Sequence, residues 1–474
     1  MSEMPSTALA GTVAARMDRL PITRTHRLAT VAVGLGMFFD IYEVFLAGVL
    51  SGVLTDQFQL SKAALAPVLA STFIGMFLGA LVMGRLADRL GRRRAFLLNL
   101  ALYSVFSLLG AFSPNAVWLM VTRFVAGIGL GAELPLADTY LTDLLPARNR
   151  GRYIAWAYTV SFVGVPFVGF LAHSLALTPV LGLAGWRWIF IIGSLGAVVV
   201  FLLRRGLPES PRWLESVGRR AEADRIATRF EDEARAAGAT LDQPAAPAPV
   251  APVARGAAAL RLLLRPPFGR RTGMMVVFHL FQTVGYYGFG TMVPLVLAAK
   301  GYPVSKSLLF TALTYLGYPV GSLLSLPLVD RVERKFLVLF ALLGMAVFGL
   351  LFGFSDSMAP ILVFGFLYTA TSNVFSNGYH IYQAEIFPTV IRSTAASGTY
   401  AVSRLATAAM PFVLIPVLNN AGVGALFGVV CAALAIVALD IGLLGPRTTG
   451  RTVESVSATS EYASRGARQT ESGI

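Results

Sequence analysis

The sequence carries little charge and almost no cysteine. Only 14% of its 474 residues are charged and 55% are hydrophobic, whereas about a quarter of a soluble domain is charged. This balance excludes an ordinary soluble domain and indicates a chain that is solvated by lipid. The single cysteine, Cys431, excludes a disulfide within the chain, a cysteine redox pair and a cysteine metal site.

Motifs for nucleotide, metal or catalytic chemistry are also missing. No glycine-rich phosphate loop, catalytic triad or metal-ligand cluster stands out, so we expect no enzyme activity, no cofactor, no metal and no ATP-driven pump. The net charge of +14 could indicate a nucleic-acid partner. However, the Lys and Arg residues cluster in alternate loops, which is typical of membrane topology, and we expect no nucleic acid to bind.

Apolar runs of membrane length recur along the chain, and a span needs only about 20 such residues. They lie at about 28–52, 65–86, 95–113, 116–137, 153–176, 186–203, 273–298, 307–329, 336–354, 359–381, 394–417 and 422–444. The pattern predicts an all-α membrane protein with twelve transmembrane helices in two six-helix bundles. The predicted regions are a tail (1–27), a bundle (28–205), a central loop (206–270), a second bundle (271–444) and a tail (445–474).

Positive charge lies mostly in the loops on one side of the predicted membrane. The opposite loops carry only Lys62, Arg187, Lys300 and Lys306, which predicts a multi-pass protein of the inner cell membrane with both termini in the cytoplasm. The N-terminal segment lacks a short hydrophobic region that ends in a cleavage site, so we expect it to be a retained tail.

Two loop motifs recur at one offset of 242 residues, which indicates that the halves are repeats related by an axis along the membrane normal. The first pattern is Asp88-Arg89-x-x-Arg92-Arg93, and it recurs as Asp330-Arg331-x-x-Arg334-Lys335. The second is Tyr140-x-x-Asp143-x-x-Pro146-x-x-x-Arg150, and it recurs as Tyr382-x-x-Glu385-x-x-Pro388-x-x-x-Arg392. The first motif can form a cytoplasmic contact that breaks and re-forms. In its second copy Glu333 replaces the glycine, so we expect this contact to be looser or altered there.

The first motif, GRLADRLGRRR at 84–94, resembles the loop between spans two and three of the major facilitator superfamily. The heptapeptide PESPRWL at 208–214 resembles the signature after span six in the sugar-porter branch of that superfamily. The resemblance implies a secondary transporter that works by alternating access, and the alternative is a set of ordinary positively charged loops. The implied gating residues are Gly84, Asp88, Arg89, Gly91, Arg92, Asp143, Arg150, Glu209, Arg212, Asp330, Arg331, Glu385 and Arg392.

Span one contains two carboxylates, Asp40 and Glu43, in the sequence FFDIYEVF. A spacing of three places both on one helical face, where a buried pair can bind and release a proton. The arrangement resembles the D-G-x-D of aromatic-acid and nicotinate-type proton symporters, but Ile41 and Glu43 depart from that form. We predict a proton-coupling role for Asp40 and Glu43, and the alternative is a static ion pair with Arg123 or Arg404.

Two arginines lie deep within predicted spans, where an ionisable residue is functional or paired by default. Arg123 lies roughly 12 Å into span four at 1.5 Å per residue, and Arg404 lies near the middle of span eleven and resembles the lone arginine of organic-acid symporters. An arginine fork suits capture of a carboxylate, so both are predicted substrate ligands. Arg404 could instead be a counter-ion of Asp40, and Glu133 could pair with a cation nearer the cytoplasm.

Polar and aromatic residues of the second half complete the predicted substrate site: Gln282, Tyr286, Tyr287, Asn373 and Asn377. Hydrogen bonds between helices explain the asparagines equally well.

These features together favour a proton-coupled importer of a small organic anion, aromatic or nicotinate-like, that acts as a monomer in the lipid bilayer. The open alternatives are a sugar or polyol porter, a drug:proton antiporter and a substrate sensor that does not transport.

Overall fold

The computed structural model of the protein describes residues 12–61, 63–243, 257–266, 268–387 and 391–449. Within these ranges the side chains of ten positions are outside the description: Gly84, Arg85, Asp88, Ala257, Ala258, Ala259, Asp330, Arg392, Ser393 and Ser397. Four predicted gating positions, Gly84, Asp88, Asp330 and Arg392, are therefore outside the described side chains.

Helices make up 84% of the described residues, which contain no strand. The first eight are α1 (Val13–Asp18), α2 (Arg24–Val49), α3 (Ser51–Phe58), α4 (Leu65–Leu90), α5 (Arg92–Ala111), α6 (Ala116–Leu130), α7 (Glu133–Leu144) and α8 (Ala147–Phe162). The next six are α9 (Gly164–Leu175), α10 (Gly185–Arg205), α11 (Pro211–Ser216), α12 (Arg220–Ala236), α13 (Ala257–Leu264) and α14 (Phe268–Thr283). A π-helix (Val284–Gly288) follows, and then α15 (Phe289–Ala299), α16 (Val304–Tyr315), α17 (Gly317–Arg331), α18 (Arg334–Phe354), α19 (Met358–Glu385) and α20 (Arg392–Leu444).

Ten helical stretches in the described residues are long and apolar enough to span a membrane. The predicted seventh span does not count among them because the π-helix divides it into α14 and α15. The eleventh and twelfth count as one because α20 continues through a kink at Gly422, where φ is +80°. All twelve predicted spans are therefore present, and the predicted all-α fold is confirmed.

The chain contacts itself in two compact units. The first contains the described residues of Met1–Val44, Ile74–Gly164 and Val180–Val250, and the second contains those of Phe45–Phe73, Val165–Pro179 and Ala251–Ile474. In the first unit α5 packs against α6, α7 and α10, while in the second α19 packs against α16, α17 and α18.

Three helices of the first unit lie outside the membrane spans and pack together: α1, α11 and α12. On α12 the buried residues Ala223, Ala227, Phe230 and Ala234 follow a helical period, which is the pattern of an amphipathic helix on an apolar support.

Charged groups fasten α1 to α12. Arg16 forms ion pairs with Glu231 at 2.9 Å and with Asp224 at 3.0 Å, and Arg19 pairs with Glu231 at 2.6 Å. Burial alone would raise the pKa of Glu231, but hydrogen bonds from Arg16 and Arg19 more than offset it, so the pKa lies below its ordinary 4.5. The carboxylate is therefore ionised and holds α1 at neutral pH.

Candidate functional site

Glu43 and Arg123 form a fully buried ion pair in the first unit, with both side chains 0% exposed. The Arg123 guanidinium also donates to the Glu43 backbone carbonyl at 2.6 Å, and the Ser107 hydroxyl donates to Glu43 Oε1 at 2.6 Å. Both carboxylate oxygens of Glu43 are thus occupied. The structure brings together two predicted site residues in the static pairing that the sequence left open.

Asp40, one turn earlier on α2, has a different environment. It is 3% exposed, and neither carboxylate oxygen has a hydrogen-bond partner among the described residues. The Tyr103 hydroxyl of α5 lies beside it without standard hydrogen-bond geometry. A charged carboxylate without donors is costly in such a place, so the arrangement fits a neutral Asp40.

A second buried ion pair joins Arg204, at the end of α10, to Glu133, at the start of α7. The Arg204 guanidinium also donates to the backbone carbonyls of Ala32 at 3.2 Å and Val33 at 3.1 Å on α2. Its central carbon lies 4.3 Å from the ring centroid of Phe96. The sequence predicted a cation for Glu133 but did not identify Arg204, because a charge at the end of a span is the usual topology signal.

Arg404 is the main polar feature of the second unit. It is 1% exposed, and its Nη2 donates to the Tyr287 hydroxyl at 2.8 Å. Its guanidinium carbon lies 4.5 Å from the ring centroid of Tyr287 and 4.6 Å from that of Tyr400. Nε and Nη1 have no partner among the described residues, and no described acidic side chain of this unit pairs with Arg404.

Aromatic and amide groups accompany Arg404 in the second unit. Tyr286 and Tyr287 meet edge to face with ring centroids 4.9 Å apart, and Phe73 meets Tyr287 at 5.8 Å. Gln282 is 1% exposed, and both atoms of its amide lack a described partner.

The two predicted asparagines connect α19 to α17. Asn373 Nδ2 donates to the Tyr318 carbonyl at 2.6 Å, and Asn377 Nδ2 donates to Ser325 Oγ at 2.6 Å. These are helix-to-helix hydrogen bonds, the alternative that the sequence left open.

The predicted gating residues of the first unit cluster around the PESPRWL segment. Glu209 accepts from the Arg93 backbone N–H at 3.0 Å, and the Ser210 hydroxyl donates to Asp143 Oδ2 at 2.7 Å. Gly91 precedes α5 with φ +100° and ψ 160°, a conformation that is essentially confined to glycine.

Asp18 is a member of this cluster that the sequence did not indicate. It accepts from Arg212 Nη2 at 2.7 Å, from Arg150 Nη2 at 3.3 Å and from the Ala147 N–H at 3.0 Å. Asp18 lies in the tail and outside the repeated motifs, so no local pattern identified it.

In the second unit the loop contacts differ. Arg334 Nε lies 3.3 Å from Glu385 Oε1, and Glu333 accepts from the backbone N–H groups of Thr448 at 2.9 Å and Thr449 at 3.4 Å. Burial raises the pKa of Glu333, but these backbone hydrogen bonds offset it and the net pKa is lowered. Arg89 and Arg331 are exposed, and Arg92 is half-buried.

Comparison with known proteins shows extensive similarity. The family model "Sugar (and other) transporter" matches residues 28–459. The putative metabolite transport protein YyaJ of Bacillus subtilis is 34% identical over 390 residues, which cover 82% of this chain and 85% of YyaJ. The niacin transporter NiaP of Acinetobacter baylyi is 32% identical over 442 residues, 93% of this chain and 98% of NiaP.

Among solved structures, the xylose transporter XylE of E. coli, in a partially occluded inward open conformation, matches with a TM-score of 0.72 at 22% identity, and the match covers 90% of this chain and 99% of XylE. These relatives are transporters and not enzymes. The chain is thus an integral inner membrane protein and a secondary transporter. Because the family model matches the part of the chain that contains the twelve predicted spans, the chain belongs to the sugar (and other) transporter family of the major facilitator superfamily.

Proposed function

We propose that the protein takes up a small organic anion together with a proton by alternating access. The observation that carries this proposal is the buried Arg404 guanidinium, which has two unpartnered nitrogens and no described acidic partner in its unit. A buried charge without a counter-ion is costly. A substrate carboxylate that accepted from Nε or Nη1, with Nη2 as the second arm of the planar fork, would supply both the charge and the hydrogen bonds.

The side chains around Arg404 favour an aromatic anion. The rings of Tyr286, Tyr287 and Phe73 can pack against a flat ligand, while the free amide of Gln282 can bond a ring nitrogen or a carboxylate oxygen. NiaP, a relative over almost the whole chain, is a niacin transporter, and niacin is an aromatic carboxylate. We therefore assign the carboxylate to Arg404 and not to Arg123, whose guanidinium Glu43 already binds.

Asp40 is the proposed proton carrier. Both of its oxygens are free to take up and release a proton, whereas those of Glu43 are committed to Arg123 and Ser107. We further propose that both termini lie in the cytoplasm and that the transporter acts as a monomer. The loop contacts around Glu209 and Asp143 would open during the transport cycle.

Uptake into proteoliposomes tests this function. Labelled nicotinate, benzoate and glucose are each supplied with and without an inward acid gradient, and protein-free liposomes correct for permeation of the neutral acids. We expect gradient-driven accumulation of an aromatic acid and none of glucose. Accumulation of glucose alone would refute the anion proposal.

Variants separate the two roles. Arg404→Ala should abolish binding of the acid, while the exposed Arg219→Ala serves as its matched control. Asp40→Asn should retain exchange of labelled for unlabelled acid across the membrane but lose accumulation under the gradient. Normal accumulation by Asp40→Asn would rule out its proton role.

A further inference from the structure

The first unit contains a group of buried polar atoms that the proposed function does not use. Apart from the oxygens of Asp40, which the proposed function uses, these are both amide atoms of Asn99, the Tyr103 hydroxyl and Oε2 of Glu133. None makes a hydrogen bond of standard geometry with a described residue, although Asn99 lies beside Glu133. Asn99, Tyr103 and Glu133 are all 0% exposed. Unpartnered buried polar atoms in a native structure require an explanation.

Arg204 links this group to Asp40. A Cβ at Gly36 would overlap the Arg204 guanidinium, so the arginine occupies the gap that this glycine leaves. Gly36 lies four residues before Asp40, which is about one helical turn, or about 6 Å along α2 at 1.5 Å per residue. The charged or titratable groups that act on Asp40 are Tyr103 of α5, Glu133 of α7, Arg204 of α10 and Glu43 of its own helix.

We propose that Asp40, Glu133 and Arg204 act as one proton-binding trio, in which Arg204 pairs with Glu133 while Asp40 is neutral and moves one turn to Asp40 when that carboxyl loses its proton. This inference rests on the proposed proton coupling and adds Glu133 and Arg204 to it as positioning residues. The free Oε2 of Glu133, Asn99 and Tyr103 provide polar contacts along the path.

Charge balance supports the trio. With both carboxylates ionised the trio carries one net negative charge, and one proton makes it neutral. Burial strongly favours the neutral state, so the trio binds one proton, and Glu133 is required even though Asp40 carries it. In the described structure Arg204 is bonded to Glu133 and Asp40 has no partner, which corresponds to the proton-bound state.

Glu133→Gln tests the inference sharply because it leaves Asp40 in place. Its remaining charges, Asp40 and Arg204, balance each other without a proton. We expect exchange of labelled nicotinate to persist while gradient-driven accumulation falls to that of protein-free liposomes. Glu133→Asp should restore accumulation, and the exposed Asp56→Asn should accumulate like the parent protein. Accumulation by Glu133→Gln at the parent level would overturn the trio.

An infrared measurement does not depend on the substrate. The acid-minus-alkaline difference spectrum of the parent protein should show the C=O band of a protonated buried carboxyl. Because other carboxyls also titrate, the band of Asp40 is identified as the one that Asp40→Asn loses. Glu133→Gln should lose the same band, and its persistence there would show that Asp40 titrates without Glu133. If the parent protein accumulates no acid, the proposed function fails while this spectrum still decides the trio.

A double variant guards against misfolding. Glu133→Gln with Arg204→Gln removes both charges of the pair, so neither charge is left buried without its counter-ion. It leaves Asp40 alone and neutral, so we expect exchange of labelled nicotinate to persist, which shows that the variant is folded, without accumulation under the gradient. Accumulation by this double variant would contradict the trio.

Discussion

Glu43 and Asp40 lie three residues apart on α2, and neutralising each should have very different effects on stability. Glu43→Gln removes the counter-ion of Arg123, which is 0% exposed, and weakens the bond from Ser107 at 2.6 Å. Removing one partner of a buried ion pair costs about 3–5 kcal/mol. Asp40→Asn breaks no described hydrogen bond or ion pair, so its cost should stay below about 1 kcal/mol.

The difference can be measured as resistance to unfolding in detergent. A gap of about 2–4 kcal/mol corresponds to roughly 30- to 1,000-fold in the ratio of folded to unfolded protein, which denaturant titration followed by size-exclusion chromatography can resolve. The double variant Glu43→Gln with Arg123→Gln should recover part of the loss, because no charge is left unpaired. Equal losses in Glu43→Gln and Asp40→Asn would refute the assignment of separate structural and proton-carrying roles.

Three further outcomes are expected. Gly91→Ala should cost about 1–3 kcal/mol, because alanine is strained at that backbone conformation. Gly151→Ala, inside α8 and with open space around it, should unfold no more readily than the parent protein in the same titration. Because the pKa of Glu231 is lowered from 4.5, the contact of its carboxylate with Arg16 stabilises the protein fully above pH 4.5, and this stabilisation is lost as the pH falls through the lowered pKa. Glu231→Gln removes the charge at any pH, so it should show faster hydrogen exchange in α1 at neutral pH. Unchanged exchange would contradict the contact. Arg404→Lys keeps the charge but loses the planar fork, so the KM for an aromatic acid should rise at least about tenfold, and an unchanged KM would argue against bidentate binding.

The twelve spans could be predicted because the length of an apolar run is set by the thickness of the bilayer. The interruption of the seventh span could not, because nothing in its apolar run marks the π-helix at Val284–Gly288. The kink within α20 at Gly422, where φ is +80°, does lie at the predicted start of the twelfth span.

Part of the candidate site was predictable as a set of residues, but the pairings between them were not. Asp40 and Glu43 share a helical face, and local sequence cannot decide which of them meets an arginine. The decision depends on Ser107 of α5 and Arg123 of α6, which contact Glu43. Arg204 was overlooked for the same reason, since only the folded unit brings it to Glu133.

The three arginines buried within described spans separate by their partners. Arg123 and Arg204 each have a carboxylate from their own unit, so their charges are balanced in the resting fold. Arg404 has only the Tyr287 and Ser403 hydroxyls and neighbouring aromatic rings among the described residues of its unit. Because a buried cation retains its cost until an anion reaches it, the proposed anionic substrate would stabilise the second unit, while the proposed proton would neutralise the first. Each half of the proposed cycle therefore ends in a unit without net buried charge, which gives a physical reason for an anion and a proton to travel together.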